Sequence, residues 1–344
     1  TNLSYNGDDV NETELPDVIN QFLISVTDGI RVLDDGLLLE MRSELGHCPS
    51  ELVVSELEVY RALNRLNTQK ASLSDGITNR LLRLLSEVLA TPICAVINSS
   101  IRQGVVPQQW RIARITPIPK TIPPRFVDSD LRPIAITCPI SKIAEHFMSG
   151  MFNEHFESHV DVNQFGCVAG RSTTLALIKL THLLFEVSDD SSNIIRLLFI
   201  DFKKAFELID HNIVAKKLDL YEFPPHIALW TLSFLQHRKQ FVKLGTKISS
   251  VLDIDAGAPQ GTRAGPNVFK LLINDLRFSL PYIKYVDDVS VVASSVDPLD
   301  TSLHRAVNEV AAWCKANGMF LNVTKTMEML IYFGKATQKS RFHQ

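Results

Sequence analysis

The stretch YIKYVDDVSVVAS, from Tyr282 to Ser294, confines the fold more tightly than any other. Tyr282, Ile283, Tyr285 and Val286 lead in, and Val289, Val291, Val292 and Ala293 lead out. β-Branched and aromatic residues on both sides predict two strands. Between them stand Asp287 and Asp288. A tight turn here makes the stretch a hairpin and aims neighbouring side chains at one point. Two carboxylates so placed repel, and each raises the other's pKa, unless a cation lies between them. Taken alone, the pair also reads as a plain Asp-containing turn.

A third acid shifts that balance. Asp201 closes a nearly continuous apolar run in IIRLLFIDF (194–202), which predicts a buried strand. A carboxylate at the end of such a strand is costly unless it is liganded. Three carboxylates with no His or Cys beside them in sequence point to a hard cation, Mg²⁺ or Mn²⁺. Magnesium takes one or two carboxylates together with substrate phosphates, as in two-metal phosphoryl or nucleotidyl transfer.

Elsewhere helices alternate with few strands, which indicates an α+β fold. Ser55, with Glu56 and Glu58 behind it, opens a helix with Val59, Leu63 and Leu66 on one face. KASLSDGI (70–77) ends it, and a second helix is predicted from Thr78 to Gln103. VPQQWRIARITPIPK (106–120) and LRPIAI (131–136) read as short extended segments. Helices are predicted over Ser141–His159, Ser172–Val187, Pro266–Phe278 and Pro298–Asn317. A strand pair is expected within 240–257, and a loop and strand over 319–334. The first fifty residues, weakly periodic, predict helices mixed with loops.

With 45% hydrophobic residues the chain can bury a real core. It has no run of 18 uncharged apolar residues, the minimum for a membrane-spanning helix. Its five cysteines are scattered without a CxxC pair, which argues against a zinc site or disulfide framework and for a reducing, intracellular setting. Residues 1–60 hold 13 acids against Arg31 and Arg42, a net of −11, which leaves +8 on the rest. That asymmetry is compatible with nucleic-acid binding by the body, or with a merely solvated acidic lead. The chain opens without Met or a secretory signal, as a piece of a longer protein would.

In order along the chain, FIDFKKAFELIDH (199–211), GAPQGTRAGPNVFKLLINDL (257–276), YVDD (285–288) and LNVTKT (321–326) resemble the reverse transcriptases of non-LTR (LINE-type) retrotransposons. GVVPQQWRIARITPIPK (104–120), LRPIAI and NQFGCVAGRSTTLALI (163–178) resemble the fingers motifs of the same enzymes. The resemblance covers Ser55 to Gly334. It implies a right-hand polymerase: an acidic segment over 1–54, helical and β fingers over 55–190, a palm of antiparallel sheet with helices over 191–335, and a tail over 336–344. The primer-grip hairpin and thumb into which such palms continue are not recognised.

By the same resemblance the activity is RNA-directed DNA polymerisation, with Mg²⁺ or Mn²⁺ as cofactor. RNA template, DNA primer and dNTPs are the partners, and the nucleus or cytoplasm is the setting. Asp201 and Asp287 would hold both metals, with Asp288 completing the triad. Lys325 would be the general acid to the pyrophosphate. Lys120 and Arg132 would grip the triphosphate, and the Phe202 backbone would lie near it. Phe206 would pack under the sugar and exclude a 2′-OH. Gln260 and Gly261 would lie beside the templating base and nucleotide. Arg171 and Ser172 would contact template, Ser172 also reading as a helix N-cap. Three departures stand out: Glu207 where the family usually has Asp, no Gly-Pro pattern in KASLSDGI, and Cys167 where an aromatic is typical. A group II intron-type maturase or other cellular reverse transcriptase, and a truncated or domesticated RNA-binding fragment without catalysis, are the competing readings.

Overall fold

The computed structural model describes residues 3–70, 73, 76–188, 194–295 and 300–332. The chain forms two units, one from Thr1–His159 with Phe206–Leu272 and one from Val160–Ala205 with Ile273–Gln344. They interleave along the sequence, whereas the expected division ran as contiguous blocks broken near 54, 190 and 335.

The first leg carries β1 (Ser4–Tyr5), β2 (Asp8–Asp9), α1 (Leu15–Ser25), α2 (Asp35–Ser43), α3 (Glu56–Asn64), α4 (Asn79–Leu84), α5 (Ser86–Gln103), β3 (Ile112–Pro119), β4 (Leu131–Ile136) and α6 (Pro139–Phe156). The capping expected at Ser55 is present: its hydroxyl accepts from the Glu58 N–H and the Glu58 carboxylate accepts from the Ser55 N–H. The single helix predicted from Thr78 is two. Leu85, at ψ 21°, breaks the run between α4 and α5.

The chain then enters the second unit for α7 (Thr173–Ser188) and β5 (Ile194–Ile200). It returns for α8 (His211–Leu220), α9 (Pro225–Leu235), β6 (Arg238–Leu244), β7 (Lys247–Ile248), β8 (Leu252–Ile254) and α10 (Ala264–Ile273). Finally it supplies β9 (Tyr282–Tyr285), β10 (Asp288–Ser295), α11 (Ser302–Ala316) and β11 (Met327–Tyr332) to the second unit. α10 starts two residues before the expected Pro266, leaving that proline in the first turn where its missing N–H costs nothing. It also stops short of Phe278, because the carbonyls of Ile273, Asn274 and Leu276 turn to the Lys284 ammonium instead. Residues 298 and 299, where the last helix was expected to begin, lie outside the described residues.

In the first unit, β4, β3, β6 and β7 run side by side with β8 also paired to β6, and β3 lies parallel to β6. Ala113, Ile115, Ala135 and Val242 of this sheet pack with Leu15 and Ile19 of α1. The second unit is built on an antiparallel sheet in the order β11, β5, β10, β9. Ala176 and Leu183 of α7 pack with Ile195, Leu197, Ile283 and Val292. Ile194, Leu198 and Ile200, alternate along β5, are buried too. A strand covered on both faces carries a continuous apolar run rather than an alternating one. Among the described residues no helix is long and apolar enough to cross a membrane.

Candidate active site

The register of the second unit's sheet brings two of the sequence-predicted acids together. Val289 pairs with Ile200, so the next position outward on β10, Asp288, stands across from Asp201 at the end of β5. Burial, and then the charge of Asp201, hold the Asp288 carboxyl above its ordinary pKa, although the residue keeps access to solvent. Asp287 sits in the two-residue turn between β9 and β10.

Asp201 is fixed by a loop that arrives from far along the chain. Its Oδ2 accepts from Asn322 Nδ2 at 2.7 Å, and its carbonyl accepts from the Asn322 N–H at 2.8 Å. Phe202 bridges to Leu321, and the Lys203 N–H donates to the Phe320 carbonyl. Asn322 also organises its own loop, accepting from the Thr324 hydroxyl and, through its carbonyl, from the Lys325 and Thr326 N–H groups. In LNVTKT the motif singles out Lys325, whereas Asn322 is the residue that holds Asp201. An Asn at a turn was the available signal, since its amide bonds local backbone. Lys325 is exposed, and with Asp201, Asp288, Tyr285 and Thr173 it lines a cavity of about 730 Å³.

Among the described residues, no three His, Cys, Asp or Glu side chains converge closely enough to hold a metal ion. What converges is the pair Asp201 and Asp288. Two carboxylates with no nitrogen or sulfur donor suit a hard cation such as Mg²⁺, which fills its remaining positions with water and phosphate oxygens. Burial first, and the neighbouring Asp201 charge second, raise the Asp288 pKa, and a bound cation would oppose both.

Other predicted residues of this unit are held by the protein itself. The Phe202 ring is buried edge-on against Trp313, centroids 5.8 Å apart. Arg171 Nη1 donates to the carbonyls of Asp161, Val162 and Gln164, so the predicted template contact is engaged with the protein's own backbone. Ser172 accepts from the Leu175 N–H, the helix-capping role expected of it.

In the first unit, Lys120 and Arg132 are exposed on the β3–β4 hairpin, where Lys120 Nζ donates to the Ser129 carbonyl. Phe206 is half-buried and stacked on Phe269 at 5.1 Å. Gln260 accepts through its carbonyl from the Ala135 N–H at 2.7 Å and donates its amide to Glu207 at 3.0 Å. The departure at Glu207 thus supplies that acceptor. Gly261 sits at φ 96°, and a Cβ there would meet Ile134 and the Ala135 carbonyl at 3.0 and 3.1 Å. Glu145, unnoticed in the sequence, lies buried on α6 and accepts from the Arg263 N–H, just ahead of α10. Burial raises its pKa.

Residues 118–343 match the family described as reverse transcriptase (RNA-dependent DNA polymerase). The chain is 26% identical over 285 residues to the probable RNA-directed DNA polymerase from transposon BS of Drosophila melanogaster, a match covering 78% of this chain and 31% of that protein. It is also 26% identical over 286 residues to the RNA-directed DNA polymerase from mobile element jockey of the same species, with the same shares. The chain therefore spans about a third of the length of the curated relatives it matches. A solved telomerase from Candida tropicalis, bound to a fragment of telomeric RNA, gives a TM-score of 0.48 at 13% identity over 77% of this chain and 47% of that one.

Proposed function

The chain belongs to the reverse transcriptase family, and from that premise we propose that it carries the nucleotidyl-transfer centre of an RNA-directed DNA polymerase of a non-LTR retrotransposon. The observation that carries this reading is the placement of Asp201 opposite Asp288 across β5 and β10, two like charges on the wall of one cavity. A stability-driven sequence gains nothing from such a pair.

Asp201 and Asp288, with Asp287 beside them, would hold the cation. When bound, Mg²⁺ supplies activation of the primer 3′-OH and neutralisation of charge on the phosphates. The chain's own contribution is positional. Asn322 fixes one oxygen of Asp201, and the β10 register fixes Asp288. Lys325, on the cavity wall, is the group to hand a proton to departing pyrophosphate. By the resemblance, Lys120 and Arg132 bind the triphosphate, Phe206 excludes a 2′-OH, and Gln260 and Gly261 meet the incoming nucleotide. RNA template, DNA primer and dNTPs are the proposed partners.

Primer extension tests the proposal. A primed RNA template, dNTPs and Mg²⁺ are given to the parent chain and to Asp201→Asn. Extension by the parent and a fall of roughly a thousandfold or more in the variant are expected, the scale of a lost metal contribution. Template binding without extension by the parent favours an RNA-binding module in its place.

A further inference from the structure

We infer that Gln164 is a positioning residue for the acidic pair: it holds the turn before Asp288 in a backbone conformation that the turn's own residue resists. The inference rests on reading Asp201 and Asp288 as a cation site.

Val286 occupies the first corner of the β9–β10 turn at φ 59°. That left-handed region is comfortable for glycine and rare for any β-branched residue. A strained corner persists only where its surroundings over-determine it. Here they do. Gln164, almost wholly buried, accepts from the Val286 N–H at 3.0 Å and donates to the Val286 carbonyl at 3.3 Å. One side chain therefore satisfies both polar groups of the strained residue. The same amide oxygen accepts from the Gly166 N–H at 2.8 Å. Gly166 lies so close that a Cβ on it would stand 2.3 Å from the Val286 nitrogen, so only glycine lets the clamp seat.

The clamp is itself held on both sides. The Phe165 N–H donates to the Lys284 carbonyl at 2.7 Å, and the Lys284 N–H donates to the Asn163 carbonyl at 2.8 Å, so residues 163–165 run as an extra partner along β9. Arg171 Nη1 binds the Gln164 carbonyl, which gives that arginine a part in the same device. Val286 lies two residues ahead of Asp288, and its φ sets how β10 leaves the turn. A turn that relaxes moves the Asp288 carboxylate relative to Asp201, which other segments hold. Partners that orient a metal's ligands typically account for tenfold to a hundredfold in metal affinity.

The test titrates Mn²⁺ alone against the thermal unfolding of the parent chain, Asp201→Asn, Gln164→Met, Val286→Gly and the Gln164→Met, Val286→Gly double variant. Hydrogen exchange at the Val286 amide is followed in parallel. Methionine keeps the volume and removes all three hydrogen bonds. The expected result is a parent stabilised by Mn²⁺, an Asp201→Asn chain that does not respond, and a Gln164→Met chain whose midpoint rises about tenfold while its Val286 amide exchanges faster. Glycine at 286 adopts the turn unaided, so the double variant recovers the parent's midpoint, a rescue that general loss of packing does not produce. An unchanged midpoint in Gln164→Met overturns the inference and leaves the cation site standing. A parent that ignores Mn²⁺, or an Asp201→Asn chain that responds like it, removes the cation site and the inference with it. If Gln164→Met does not fold, Gly166→Ala, whose Cβ would stand 2.3 Å from the Val286 nitrogen and so unseat the clamp without adding charge, gives the same reading.

Discussion

Lys284 and Asp288 stand four positions apart on the β9–β10 hairpin, and the charges at the two places are treated in opposite ways. At the root, Asp161 Oδ2 meets Lys284 Nζ at 2.7 Å, Arg277 Nη1 at 2.8 Å and the Tyr282 hydroxyl at 3.0 Å. Lys284 spends its remaining donors on the carbonyls of Ile273 and Leu276. Burial pulls the ammonium down to about 8 against the opposing pull of Asp161. Asp161 lies below its ordinary value: burial pushes it up, and Lys284, the Asn163 N–H and Arg277 together push it further down. At the tip, Asp201 and Asp288 face each other with like charge, and burial plus repulsion drives Asp288 upward. A cluster whose members cancel needs nothing from outside. A cluster whose members repel is completed only by what binds. The hairpin is anchored by the first and so can carry the second.

Removing the root's carboxylate is expected to have the largest effect on stability. Asp161→Ala leaves a fully buried ammonium facing carbonyls alone, and unfolding in urea is expected to show a loss of about 3–5 kcal/mol. A loss below about 1 kcal/mol would place the root among ordinary surface pairs and erase the contrast.

The next effect is a slope. Lys284 titrates at about 8 in the fold against an ordinary 10.5, so between those values the unfolded chain binds more protons and stability rises with pH. Measured as the difference between the parent and Lys284→Met, that rise is expected to be on the order of 1–3 kcal/mol. A flat difference would mean that the ammonium is not desolvated.

The smallest effect belongs to the tip. Asp288 is an acid raised in the fold, so its contribution weakens as pH climbs from the ordinary carboxylate range through the raised value, and the loss persists at neutrality. Without metal, Asp288→Asn is expected to melt about 1–3 °C above the parent at pH 7. It is also expected to lose most of the rise that millimolar Mg²⁺ gives the parent. A lower melting temperature would make the tip resemble the root.

These two clusters were not equally legible in the sequence. The apolar run into Asp201 and the strands around Asp287 and Asp288 could be read because burial on one or two faces writes a local pattern. The Ser55 box was local as well. Gln164 and Val286 lie 122 residues apart, and Asn322 and Asp201 lie 121 apart, so no spacing rule connects them. Lys284 inside YIKY reads as a solvent-facing strand residue, and only the register of 161 against 282 and 284 reveals a buried pair. Arg171 was assigned to template by its motif, while the fold occupies its Nη1 with three carbonyls. The interleaving of the units escaped for the same reason: each crossing falls in an ordinary loop, and nothing at Ala205 or Leu272 marks a change of neighbours.

The order of strands has a consequence for making the protein. β5 sits between β11 and β10 in the second unit's sheet, yet Ile200 pairs with Val289 and Phe199 with Met327. At ribosomal speeds of about 5–20 residues per second, β5 leaves the tunnel roughly five to twenty seconds before its first partner. During that interval IIRLLFI is an apolar, β-prone segment with both faces and both edges open. Yield in a cell then depends on how quickly residues 201–295 are translated and on what shelters the strand meanwhile. Slow codons in that interval lower the soluble fraction, whereas the same codons after Tyr332 leave it unchanged.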